Sequence, residues 1–106
     1  MLSDSYLPIP DTVILQATHT HLYPGHRGKI SGLAKIADLP ESGDCLVEFS
    51  DGSATPGRIS KTENAWRLDA EAYRTAAGTN IAAKHWLACL EETRGQVEFR
   101  ILKNVE

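Results

Sequence analysis

The chain has 106 residues, 42% of them hydrophobic and 24% charged, enough for one ordinary domain with a modest core and too apolar for disorder over most of its length. A formal net charge of −3 gives no field that would draw the whole molecule onto nucleic acid or an anionic membrane surface. Charge is uneven, however, because residues 36–57 carry Asp38, Glu41, Asp44, Glu48 and Asp51 and no lysine or arginine.

At the start, "MLSDSYLPIPD" has no basic residue and no continuous apolar run, unlike a secretory signal, and no segment approaches the roughly 18 apolar residues of a membrane helix. A cytoplasmic protein is the expectation. Pro8 and Pro10 predict an extended arm over residues 1–11 of a single domain, 1–106. The next stretch, "DTVILQATHTHL", reads either as a strand or as a short helix capped by Asp11, and Pro24-Gly25 ends it either way.

From Lys29 the signals are those of strands. "KISGLAKIA" is followed by "DLPESGD", a loop built on Pro40 and Gly43. "CLVEF" then sets Cys45, Val47 and Phe49 on one face and Leu46 and Glu48 on the other. Asp51-Gly52 supplies a tight turn, and "SATPGRIS" returns as the second strand of a hairpin. Pro56 and Gly57 predict that this strand is bent, bulged or at an edge, since proline cannot donate a ladder hydrogen bond.

"AWRLDAEAYR" has a helical composition, yet a helix would put Trp66 and Leu68 on nearly opposite sides. A strand sorts the residues cleanly, with Trp66, Leu68, Ala70 and Ala72 inward and Arg67, Asp69 and Glu71 outward. After a turn at Gly78, "IAAKHWLACLEE" allows a helical stripe of Ile81, His85, Trp86, Cys89 and Leu90, with a strand preferred. "TRG" punctuates before "QVEFRILKN", where Val97, Phe99 and Ile101 alternate with Glu98 and Arg100. These elements predict a mainly β fold: a small antiparallel sheet curled into a partly open barrel, with or without a short N-terminal helix. The architecture resembles SH3-like or Sm-like barrels by analogy alone. The alternative is an α+β fold with one or two helices packed on the sheet.

Cys45 and Cys89 lie far apart without a CxxC partner, which predicts buried, reduced core residues and leaves a disulfide between them open. The run Gly25, Gly28, Gly32 beside Arg27 and Lys29 lacks the Gly-Lys-Ser/Thr ending of a P-loop, and reads as turn and bulge glycines.

Three of the four histidines, His19, His21 and His26, fall within residues 17–29. "VILQATHTHLYPGH", residues 13–26, resembles the first-strand motif of the amidohydrolase superfamily, where a hydrophobic strand ends in His-x-His and both imidazoles bind a catalytic zinc. The resemblance implies zinc on His19 and His21 and a TIM barrel. That barrel typically takes about 250 residues. Only 80 follow His26, and the family's further lysine, two histidines and aspartate cannot be assembled when His85 is the one histidine left. Cupin barrels also use His-x-His, but their following glutamate is missing, because Leu22, Tyr23, Pro24 and Gly25 come next. A small zinc site on His19, His21 and His26 with an open fourth position is therefore the alternative, and no cofactor the leading expectation.

The leading functional reading is a non-catalytic binding or assembly module for a peptide, partner subunit or small ligand. Its candidate contacts are Arg67, Tyr73, Arg74 and Trp86, because aromatic and arginine side chains dominate contact energies, although Trp66 and Trp86 also read as core. Homodimerisation by edge pairing accompanies it. The alternative is a small metal-dependent enzyme centred on the three histidines. Single-stranded nucleic-acid binding is a third reading, against which the net acidity counts. No membrane partner is expected.

Overall fold

Alternation with a period of two governs the fold, because each strand that keeps it can turn one face to a common interior. The computed structural model describes residues 12–15, 22–33 and 35–105. They contain β1 (Thr12–Leu15), β2 (Arg27–Ile30), β3 (Ser42–Glu48), β4 (Ala54–Lys61), β5 (Trp66–Ala70), β6 (Tyr73–Arg74), β7 (Asn80–Ile81), β8 (Lys84–Thr93) and β9 (Gln96–Val105). A single 3-10 turn at Ile36–Asp38 is the only helical element among the described residues.

Seven strands close a barrel in the order β1-β2-β9-β8-β5-β4-β3. All neighbours are antiparallel except β1 and β3, whose parallel pairing, with Val13 opposite Val47, completes the ring. The barrel is thus closed rather than partly open. Closure leaves no strand in the ring without a partner on either side, so edge pairing with a second copy finds no free barrel edge.

The interior is filled by side chains. Val13, Leu15, Ile30, Val47, Ile59, Leu68, Trp86, Val97, Phe99 and Ile101 are all buried, and Leu22, Leu33, Leu39 and Phe49 from connecting segments join the same cluster. Burial of each large side chain contributes about 1.5–3 kcal/mol. Gly28 on β2 lies opposite Phe99 on β9, where the missing Cβ leaves room for the ring, an aromatic cover over a strand glycine.

Strand alternation prevailed over the helical alternative in "AWRLDAEAYR" and "IAAKHWLACLEE". "WRLDA" is β5 with Trp66, Leu68 and Ala70 buried, and "KHWLACLEET" is β8 with Trp86 and Ala88 buried, so no helix packs on the sheet among the described residues. Several expected details differ. Ala72 is exposed, because β5 ends at Ala70 and the chain leaves the barrel. β2 spans only Arg27–Ile30, and the segment after it becomes a turn and the 3-10 element instead of a longer strand. Gly43 belongs to β3, not to the preceding loop. Of the N-terminal stretch, Thr12–Leu15 is a strand; the arm over residues 1–11, Asp11 with its helix cap included, lies outside the described residues.

Pro56 sits inside a barrel strand, between β3 and β5, with no register shift along β4. Its carbonyl accepts the Glu71 N–H at 3.0 Å on the β5 side. In a strand the N–H and C=O of one residue point the same way, so the donor that proline lacks would have faced the end of β5, past its last ladder pair at Ala70. The bulge is elsewhere. Between Leu87 and Ala88 the β8–β9 register shifts by one, which leaves Leu102 as the extra residue and turns it to solvent.

The β6–β7 hairpin stands apart from the barrel sheet. The Tyr73 ring stacks on Phe49 with centroids 4.9 Å apart and planes 10° from parallel. Burial, with a smaller contribution from the charge of Asp51, pushes the Tyr73 hydroxyl up to about 12. Both cysteines are free. Cys45 is buried, and that burial pushes its thiol up to about 12, whereas Cys89 is half-buried. Iodoacetamide at pH 8 is therefore expected to label Cys89 first in the native protein and Cys45 only after denaturation, as peptide mass spectrometry would show; equal native rates would contradict the inward placement of Cys45.

Candidate functional site

The candidate contacts of the sequence do not form one constellation. Arg67 lies on the outer face of β5, half-exposed, and its Nε donates to Asp69 Oδ1 at 2.8 Å. Tyr73 and Arg74 lie on the separate hairpin, Arg74 exposed and Tyr73 half-buried against Phe49. Trp86 is 1% exposed and belongs to the core, with no ring surface to offer a ligand.

Of the histidine cluster, His19 and His21 lie outside the described residues. His26 closes the turn Tyr23-Pro24-Gly25-His26, in which its N–H donates to Tyr23 O at 3.1 Å and Gly25 takes φ +91°. The Tyr23 N–H in turn donates to His26 Nδ1 at 2.8 Å. A neutral imidazole that accepts at Nδ1 carries its proton on Nε2, so a metal on Nε2 would need that proton moved and the hydrogen bond given up. Among the described residues no three histidine, cysteine, aspartate or glutamate side chains are grouped to hold a metal.

The geometry brings together a different set. Asp69 on β5 stands opposite Arg58 on β4 and His85 on β8, all on the outer wall. Asp69 Oδ1 takes both Arg67 Nε and His85 Nδ1, the latter at 2.6 Å, and Arg58 Nη1 donates to Asp44 Oδ1 at 3.1 Å. Around them opens a cleft of about 260 Å³ lined by Asp44, Arg58, Asp69, Glu71, Ala83 and His85. Gly57 forms part of the wall, where a Cβ would stand 2.5 Å from Asp69 O and 2.7 Å from Val47 Cγ2, so the close approach of β4 to β5 there depends on glycine.

The sequence placed Asp69 outward, but pairing it with His85 needed the β5–β8 register across the intervening β6–β7 excursion. Alternation shows which face a residue takes and not which strand lies beside it.

A second charged group lies where β2, β9 and β8 adjoin. Arg27 bonds Glu91 and Glu98 together, the latter at 3.2 Å from Nη2, and Arg100 Nε is 4.0 Å from Glu91 Oε2. The Arg27 hydrogen bond and charge hold the Glu91 carboxyl below the usual carboxylate range, and the same bonds raise the Arg27 guanidinium. Arg27 joins two carboxylates that would repel as cross-strand neighbours, Glu91 opposite Glu98.

No protein-family model, curated protein or solved structure matches the chain, so the functional assignment rests on the geometry of this molecule.

Proposed function

We propose that the protein is a non-catalytic binding or assembly module of the cytoplasm, which takes a peptide, partner subunit or small ligand on its outer wall at the β4–β5–β8 cleft. One observation carries the reading: the buried cluster occupies the barrel interior, while Asp69 holds Arg67 and His85 in place beside a surface cleft. Side chains already fixed by one another need not be ordered by the ligand, which lowers the entropy cost of binding. The described lining residues supply ion-pairing groups without a hydroxyl or thiol, which favours holding a ligand over acyl transfer to a side chain. The proposed use is that of SH3-like barrels, with recognition by an outer surface rather than an internal chamber. Assembly with a second copy would run through outer side chains, since the ring has no free edge. Two free thiols fit a reducing cytoplasm.

The test is an amide-resolved NMR titration with capped lysine, arginine and glutamate derivatives as probes. At least one is expected to shift the amides of Asp69, Ala83 and His85, and Asp69→Ala, which releases both Arg67 and His85, to weaken that response. Unmoved cleft amides with every probe, or a response identical in Asp69→Ala, would reject the reading.

A further inference from the structure

Away from that cleft, a second one opens where β2 and β9 part. Their ladder ends with Ile30 opposite Val97. One residue on, Ser31 gives its N–H to Thr12 O on β1 at 3.2 Å, while Gln96 stays opposite Thr93 on β8. Two strands that share a ladder up to that point are thus drawn to different neighbours. The gap is a cleft of about 340 Å³ lined among others by Lys29, Ser31, Gly32, Leu33, Gly95 and Gln96. Gly32 and Gly95 take φ +81° and +75° in the two turns that bound it, and neither has a Cβ to fill the space. The size falls within the usual range of small-molecule sites, about 300–1,000 Å³.

The electrostatics of this cleft have one sign. Lys29 is the one charged lining residue among the described residues. The natural cross-strand partner of Lys29 is Glu98, but Glu98 Oε1 already accepts from Arg27 Nε at 3.4 Å and Nη2 at 3.2 Å. Arg27 occupies that carboxylate from the neighbouring outward position of β2, and no ion pair among the described residues involves Lys29. Lys29 therefore lines the cleft while its cross-strand carboxylate is already paired with Arg27 through Oε1.

We propose that this cleft binds the carboxylate group of a small ligand or of a chain end, with Lys29 as counter-ion and Ser31 and Gln96 as neutral hydrogen-bond donors. One lysine, a hydroxyl and a carboxamide match a singly charged carboxylate; a phosphate dianion calls for more positive charge or an arginine fork. Lys29 on β2, Ser31 just after it and Gln96 on β9 flank the divergence, so the ligand joins β2 to β9 across the gap.

The test is an amide-resolved NMR titration at constant ionic strength with four probes: propionate, propionamide, acetyl-Ala-Ala with a free carboxyl, and the same dipeptide as its amide. The two carboxylates are expected to move Lys29, Ser31, Gly32, Gly95 and Gln96, and the two amides to leave them in place. Lys29→Gln, at an exposed residue without an ion pair, should keep the wild-type urea midpoint and bind at least about tenfold more weakly, the loss of one charge-assisted hydrogen bond. Tighter binding of the dipeptide acid than of propionate assigns the site to a chain end; equal or weaker binding assigns it to a free small acid. The proposal is overturned if the neutral amides produce the same shifts, if sodium chloride alone does, or if Lys29→Gln titrates like the wild type. Each of these three failures leaves the β4–β5–β8 cleft untouched, since the two clefts share no lining residue.

Discussion

Gly28→Ala is expected to lower stability by about 3 kcal/mol or more, at or beyond the upper end of what overpacking normally costs, and to leave a fraction of the protein unfolded in buffer. A Cβ on Gly28 would overlap Ile14 O on β1 and the Phe99 ring on β9 at once. Phe99 is 2% exposed within the core cluster, and Ile14 O is backbone, which no change of rotamer removes. Relief would require β1, β2 and β9 to separate, at the part of the ring where β1 closes the barrel. Phe99→Leu in the Gly28→Ala background should therefore fail to restore stability, because it removes one of the two overlaps.

Two other glycines calibrate this effect. Gly57→Ala meets Asp69 O at 2.5 Å and Val47 Cγ2 at 2.7 Å, a smaller overlap in which the valine can yield in part. Gly25→Ala meets nothing within 4 Å and costs about 1–2 kcal/mol for its left-handed backbone at φ +91°. Urea denaturation with a common m-value should rank the three Gly28, Gly57, Gly25 in falling order of cost. A Gly28→Ala variant as stable as Gly25→Ala would show that β1 does not close the ring as described.

The strands were legible because their inward residues recur every second position. "QVEFRI" and "WRLDA" carry that pattern so strongly that it prevailed over helix-forming composition in the second. Closure was not legible. It depends on a parallel contact between Thr12–Leu15 and Ser42–Glu48, two strands far apart in sequence, and nothing in either one specifies the other. Pro56 was legible as an anomaly but not in its resolution, which lies in the exit of β5 one residue past Ala70. The cleft was legible in its parts alone. Asp69 and Glu71 point outward by alternation, yet the meeting of Asp69 with His85 is a property of register between strands that no tight turn connects.

Trp86→Ala is expected to cost about 3–5 kcal/mol, the usual loss for removing a large aromatic from a core, and to shift the unfolding midpoint by more than any single change on the outer wall. The ring is 1% exposed and stands in register with Leu68 across the β5–β8 pair. Arg67→Ala, by contrast, removes a half-exposed ion pair with Asp69 and should cost no more than about 1 kcal/mol. Intrinsic fluorescence and urea titration on both variants would separate the two sites. Wild-type stability in Trp86→Ala together with lost probe binding would make the ring a contact surface and end its assignment to the core. The tryptophan also bears on the cleft. A slip of β8 by one residue would turn Trp86 outward and bring His85 and Leu87 to the inner face, because the side-chain period is two. Burial of the indole is thus what makes that slip costly, and what keeps His85 on the wall opposite Asp69. Loss of the His85–Asp69 contact in Trp86→Ala, read from the His85 ring resonances under conditions where the variant stays folded, is the expected secondary effect, and it ties the formation of the site to the filling of the core.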